Sequence, residues 1–494
     1  MKSVLVSTII CCISLHFLHA QDFGDYPKIK KEKLLNDLEI LYQGLDKFHS
    51  GMYWYTPKDS VDLAFENVRN KITNDLNVLE FHKLIAPLVA LSREDHTDIY
   101  LPDITKEKLK TEARYLPLTF VFLGEELYCT KNASDFQALP LEGKQVASIN
   151  GETPSTIVNK IGNLFASDGY IKTVKYSDLS GFSFSRYYFY YYGLSDQFEI
   201  KFKEINEPII IEALSLDDIN KQLRSRYQKG QNPEKKDILE YKLLTDSIAY
   251  LGIHSFDNGD IKKESKEKNL KSFLKNSFKS IDDNKIKTLV IDVSENTGGN
   301  EGNEGLLYSY LGNNYQKYKT VRVKTQKAIL DNGVDKPIKL KALGILERVL
   351  VNKKNKDGSL ERKEGIGHGL MAYKKEPSHK FSGKTYVIIG PVTYSGGSEF
   401  SNMVYTNDLA TFVGQETGGG YLGNTSGYSK KLVLPNSKIE IYIPALQFVM
   451  NVDPKLPFGS GVIPHHEVIP TFEEYIKGEN APLKYILEEL ENEE

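Results

Sequence analysis

Leu34, Leu35, Leu38, Leu41, Tyr42 and Leu45 recur every three or four residues in KEKLLNDLEILYQGLDKFH. One apolar stripe therefore runs along residues 31–49 and predicts an amphipathic helix. Two more helices are predicted, from about Ser60 to Leu76 and over LEFHKLIAPLVALS (79–92), with Gly51 and Pro57 punctuating the first gap. This helical stretch stops at REDHTDIYLP. From about 115 to 215 the period shortens to alternation, as in LPLTFVFL and QFEIKFK, which predicts a small β-rich unit. Inside it GKQVASINGETPSTIVNKI reads as a strand, an Asn150-Gly151 turn and a helix capped by Ser155 or Thr156. The run RYYFYYYG (186–193) reads as an aromatic-rich strand packed in a sheet rather than as a ligand cage.

Strands and helices alternate again from SIAYLGIHSF through a Lys- and Ser-rich helix to KTLVIDVSENTGGN. Residues 318–382 are rich in Lys and Gly with few long apolar runs, and predict an insertion or mobile arm. KTYVIIG, a serine-containing turn, a helix, ATFVGQETGGG, two β-like runs (KKLVLP and KIEIYIPALQFVM) and a closing helix complete the chain. Alternation of this kind predicts an α/β core. No internal repeat is evident.

The first twenty residues, MKSVLVSTIICCISLHFLHA, have a lysine, an apolar core and Ala20 at a plausible cleavage point, the pattern of a secretory signal peptide. Its removal takes two of the 3 cysteines and leaves Cys129, so the mature chain is expected to form no internal disulfide. An exported protein built this way relies on its apolar core, and the length allows two or three domains. A bacterial periplasm or surface suits it better than a disulfide-rich secretion. With 63 basic and 66 acidic residues the chain has no basic footprint for nucleic acid. No other segment approaches a membrane span.

Two glycine-rich turns carry the candidate chemistry. In VTYSGGSEF (392–400) a serine precedes two glycines between a strand and a helix start. Such a turn suits a nucleophile beside amides at the positive end of a helix, yet it is equally ordinary helix-entry chemistry with Ser395 or Ser398 as cap. IDVSENTGGN ends a strand in the same way, and amides of Gly298 or Gly299 would offer a further donor to an oxyanion. A serine needs a base. His82 lies in an apolar helix; His49, His368 and His379 lie in polar, loop-like stretches; His254 lies on a strand. His96, in REDHTDIY between Asp95 and Thr97, and the pair His465 and His466 in GVIPHHEVIP are the rivals, and these residues alone do not choose between them.

The chain resembles the S41 peptidases, the tail-specific or C-terminal processing proteases, and most closely their branch with tricorn protease and the retinoid-binding repeats. The resemblance is carried in order by HSGMYWYTP, LVALSREDHT, VASINGETPSTIV, LVIDVSENTGG, TYSGGSEF, VGQETGGGYLGNTSG and GVIPHHEV. It implies a helical region (21–110), a PDZ-like β-rich unit (111–215) and a catalytic core (240–494) of crotonase-like or ClpP-like spiral shape. It implies Ser395 as nucleophile, with oxyanion donors at Gly396 and the Gly298-Gly299 pair. Gly420 stands where the processing proteases carry a lysine base, so the resemblance implies the other branch's base, a histidine, at His96. The acid beside that histidine falls on Asp453, with Asp95 and Glu416 as alternatives. No metal or cofactor is implied, and the substrate would be a peptide or unfolded protein. Two other readings remain: a binding protein that kept the fold and lost the chemistry, and an α/β-hydrolase, because Ser395, Asp453 and His465 follow that fold's order.

Overall fold

The computed structural model describes residue 23 and residues 26–227, 237–325, 352–356, 358–363 and 377–493. The signal peptide expected over 1–20 lies outside the described residues. So does most of the arm expected over 318–382, with His368.

The first helix spans Lys31–Phe48 and buries Leu34, Leu38, Leu41 and Leu45, as its stripe dictates. The second, Lys58–Lys71, ends earlier than its apolar pattern suggests. Asn77 starts the third there: its side chain accepts from the amides of Leu79 and Glu80 while Glu80 reaches back to the Asn77 amide, a reciprocal cap for Val78–Ala90. These helices close over Ile439, Ile441, Ile443 and Ala445, from the far end of the chain. Asp37 strengthens that junction by accepting from the amides of Asn436 (3.1 Å) and Ser437 (2.7 Å).

Residues 116–211 fold around their own core, with strands Leu118–Leu123 and Glu126–Asn132 in one sheet and Val146–Ile149, Gln197–Phe202 and Ile209–Glu212 in another. Asn150 (φ 49°) and Gly151 (φ 80°) make the expected turn between strand and helix. The helix Pro154–Ile161 is capped by Thr153, not by Ser155 or Thr156, with proline at its first position. The tyrosine run is also corrected: Ser183–Tyr192 is a helix. Phe184, Ser185, Tyr188 and Phe189 form its buried face, a helical period that the aromatic composition masks, and two further tyrosines pack on the third helix, Tyr190 against His82 and Tyr191 under Lys83. The outer edge of Leu118–Leu123 is covered, since Phe120 exchanges backbone bonds with Gly181 and the Phe122 amide donates to Ser180 Oγ.

The core sheet has six strands, in the order His466–Glu467, Thr411–Gly414, Lys384–Ile389, Thr288–Asp292, Ile248–Ile253, Leu239–Leu243. All neighbours are parallel except the last pair. TLVID is buried along its whole length because both faces are covered. The helices Leu270–Asp283 and Gly396–Thr406 pack on one face, and Ala481–Glu493 places Ile486 on the other. A second sheet joins Glu440–Met450 to Asp98–Tyr100, Gly423–Val433 and Tyr318–Val323. The first residues of the expected arm are therefore a sheet strand, with Tyr318 fully buried. Among the described residues no helix is long and apolar enough to cross a membrane.

Two buried histidines make the fold sensitive to acid. Burial holds His49 down to about 3, with Lys324 adding to the effect, and holds His82 down to about 4. The unfolded chain binds protons at both positions below about 6.5 while the folded chain refuses them, so stability present above that pH is lost as pH falls through the interval. At pH 5 each contributes at most about 2 kcal/mol to that loss. Thermal melts should show a smaller drop between pH 7 and pH 5 for His82→Gln than for the natural protein.

Candidate active site

Beyond the strand Lys384–Ile389 the chain turns through Gly390–Tyr394 into the helix Gly396–Thr406. Thr393 Oγ1 fastens the turn by accepting from Gly390 (3.0 Å) and donating to the Val293 carbonyl (2.9 Å) at the end of the neighbouring strand. Ser395 sits at the apex with φ 46° and ψ −120°. A non-glycine residue held there stores about 1–3 kcal/mol of strain, which the surrounding bonds must outweigh. Its hydroxyl does not cap the helix; Ser398 Oγ instead donates to the Ser395 carbonyl at 2.8 Å. The helix-entry explanation of Ser395 therefore fails, and its half-buried side chain is left for another use.

The second glycine turn lies against the first. A Cβ on Gly298 (φ 98°) would stand 2.7 Å from the Ser395 Cβ and 2.9 Å from the Gly396 amide nitrogen. Gly299 (φ 143°) passes so close to Asp257 that a Cβ there would meet its amide at 2.1 Å. The Gly298 amide, expected as an oxyanion donor, is already committed to Asn296 Oδ1 at 2.8 Å. Gly396, the first residue of a helix and thus without an intrahelical acceptor, is the free donor beside the hydroxyl.

Beneath both turns Lys317, almost fully buried, inserts its ammonium between three carboxylates. It lies 2.6 Å from Glu304, 3.0 Å from Glu399 and in contact with Glu301, while the Tyr318 hydroxyl donates to Glu399 at 2.7 Å. Glu301 and Glu304 follow the Gly298 turn and Glu399 lies one turn into the serine helix, so the cluster clamps the two together. Burial opposes a charge on Lys317, but the three carboxylates outweigh it and raise its pKa. Burial, with Glu399 nearby, pushes Glu301 up to about 7.

His96 is carried by a loop that three other segments hold. His49 Nδ1 accepts from the Gly51 amide at 3.1 Å, so its Nε2 carries the proton and donates to Thr97 Oγ1 at 2.8 Å. Glu94, fully buried, accepts from the Thr425 amide at 2.7 Å. Asp168, also buried, accepts from the Asp95 amide at 2.8 Å with one oxygen and from the Gly420 amide at 3.0 Å with the other. The residue before Gly420 closes the circuit: a Cβ on Gly419 would stand 3.4 Å from the Ser395 nitrogen, and the Gly419 amide donates to Thr393 at 3.0 Å. Ser395 thus meets the small loop 418–420 directly, and the segment that carries His96 meets it through Asp168. No hydrogen bond joins them, and His96 Nδ1 is buried without a partner among the described residues.

Burial raises the pKa of Glu94, Asp95 and Asp168 alike. For Asp168 the charge of His96 and the two amides oppose that rise. For Glu94 and Asp95 the Asp168 charge adds to it.

Asp453 is corrected. It is exposed, its amide donates to Thr406 Oγ1 at 2.8 Å, and Thr406 ends the helix that Ser395 begins, about 16 Å away along the axis. Glu416 is engaged with the Gly461 amide at 2.9 Å. His465 stacks on Tyr405 and spends Nδ1 on the Phe412 amide (2.9 Å), and His466 meets the Tyr485 hydroxyl, so neither serves Ser395 and the hydrolase order of Ser395, Asp453 and His465 has no centre behind it. His254 is buried against the Asp237 carbonyl at 2.7 Å. Asp168 and Lys317 escaped the sequence reading, and His49, read as lying in a polar, loop-like stretch, is fully buried. Asp168 sits in Ser-Asp-Gly, which signals only a turn.

A cleft of about 680 Å³ opens beside the serine turn, between Leu123, Lys172 and Tyr176 on one side and Ser294, Pro391 and Gln415 on the other. It lies at the carboxyl ends of the parallel strands, the usual place for a ligand in such sheets. Trp54, Tyr55, Tyr170 and Phe458 form a ring cluster near Gly420.

A serine on a strained strand-to-helix turn beside a helix-terminal amide, at the carboxyl ends of parallel strands, marks the candidate centre of an α/β protein. Residues 247–468 match the model of Peptidase family S41, so this stretch of the chain is similar to the S41 peptidases. The crystal structure of mature CPAF is similar over 92% of this chain and 96% of that one, with 15% identity and a TM-score of 0.60. Mature CPAF complexed with lactacystin matches over 93% and 97%, with 14% identity and a TM-score of 0.58. Tricorn protease matches over 94% of this chain and 37% of its own, with 14% identity and a TM-score of 0.35. At these identities the CPAF likeness speaks for the fold, a multidomain α/β architecture. No curated protein matches the chain.

Proposed function

We propose that the protein is an exported serine endopeptidase that cleaves peptides or unfolded proteins through an acyl-enzyme. Ser395 Oγ attacks the scissile carbonyl, His96 takes its proton and returns it to the leaving amine, and the Gly396 amide receives the developing oxyanion. The observation that carries the reading is the strained, uncapped Ser395 packed against Gly298 beside a free helix-terminal amide. In this reading residues 111–215 are the PDZ-like unit and 240–494 a crotonase-like or ClpP-like core, and the peptide enters the cleft between them. Cleavage after Ala20 would release the mature chain into a bacterial periplasm or to the outside. His96 and Ser395 come from different parts of the chain, so closure on substrate would bring the imidazole into reach, as is common when resting sites are loose.

The missing bond between His96 and Ser395 favours one second reading, a binding protein of the same fold without turnover. A fluorophosphonate probe separates the two. Under the proposal it labels Ser395, mapped by peptide mass spectrometry, and the same preparation degrades an unfolded casein. A folded protein that takes no label and leaves casein intact belongs to the second reading.

A further inference from the structure

We propose that Asp168, a residue from the β-rich part of the chain, is the positioning carboxylate for His96, in place of Asp453. This rests on the serine-peptidase reading of Ser395 and His96.

Three observations support it. Asp168 is 2% exposed and receives one amide on each oxygen, from Asp95 and from Gly420, so its carboxylate is fixed between the loop that carries the histidine and the loop that touches the serine. Position 420 has no side chain, and a Cβ there would lie 3.7 Å from Asp168 Cβ and 3.5 Å from the Tyr55 hydroxyl, so the space in front of Gly420 is where this carboxylate is seated. His96, in turn, keeps a buried Nδ1 with no partner.

The rival on the same loop is Asp98. Its own environment raises it by burial, the Tyr100 hydroxyl engages it, and its strand pairs with Tyr442 in the second sheet. Asp98 belongs to the strand paired with Glu440–Met450, whereas Asp168 joins the segment carrying His96 to the loop beside Ser395. The other titratable and charged groups around Asp168 are Glu94, Asp95, Tyr55 and Tyr394, with Arg93 donating to the Gly169 carbonyl at 3.2 Å and Asp178 and Lys175 acting through Asp95. Glu94 accepts from the Thr425 amide at 2.7 Å, and burial, with the Asp168 charge adding to it, raises both Glu94 and Asp95. During attack the serine proton moves to His96, and in this proposal the fixed Asp168 carboxylate stabilises the positive ring that forms.

The mature full chain tests this without knowledge of the natural substrate. The rate of fluorophosphonate labelling is followed against pH for the natural protein, Asp168→Asn and Asp98→Asn. Loss of the carboxylate removes a charge that favours imidazolium, so Asp168→Asn should move the acid limb to lower pH by about one unit and slow labelling at pH 7 about 100-fold. Asp98→Asn should do neither. An unmoved limb in Asp168→Asn, or a moved one in Asp98→Asn alone, overturns the proposal. In case Asp168→Asn does not fold, the Asp168 carboxyl carbon is titrated by NMR in the natural protein and in His96→Gln. A titration curve that His96→Gln alters supports the pairing, and an identical curve refutes it. If the natural protein takes no label at all, the peptidase reading fails, while this titration still decides whether the two residues are coupled.

Discussion

Ser395→Ala should reduce casein degradation at least 1,000-fold while leaving the unfolding temperature within about 2 °C of the natural protein. The large kinetic loss follows because no other hydroxyl can take over: Ser398 points back to the Ser395 carbonyl and Ser401 Oγ donates to the Gly397 carbonyl. The small thermal change follows because the Ser395 side chain makes no cap bond to lose, and alanine inherits the same strained backbone. A variant that keeps a tenth of the activity would show that Ser395 is not the nucleophile.

Gly298→Ala should be nearly as damaging for a different reason. Its methyl would stand 2.7 Å from the Ser395 Cβ, against a backbone that φ 98° already makes costly for any side chain. Either the serine turn or the glycine turn must shift, and a displacement of an ångström at a nucleophile costs on the order of 100-fold in rate. The expected result is that loss in casein cleavage with a drop of several degrees in unfolding temperature. Gly181→Ala supplies the control. Its φ of 70° is similarly strained, but nothing lies within 4 Å of a Cβ there, so it should lose stability and keep activity. Equal activity in both variants would mean that contact with Ser395 is unimportant.

The two glycine turns were legible in the sequence because a strand ending in glycines before a helix has few structural solutions. The amphipathic first helix and the buried parallel strands were legible for the same reason: period and burial coincide. Tyr318–Val323 was hidden because Lys319 and Arg322 point outward from a strand whose other residues are buried, so its charge suggested an arm. RYYFYYYG was misjudged because aromatic composition favours strands, while the decision lay in which rings the third helix could cover. Asp168 was beyond reach: its role comes from two amides, Asp95 and Gly420, that are 73 and 252 positions away in the chain. Asp453 was reached by resemblance alone, and its position at the wrong end of the serine helix could be seen only in three dimensions.

The strand Glu440–Met450 roofs the helices that open the chain. During synthesis those helices lack this part of their cover until the ribosome has delivered nearly the entire polypeptide, and such distant pairing is slow to form. Under the proposed function, a nascent or C-terminally clipped molecule would therefore lack an assembled nucleophile pocket.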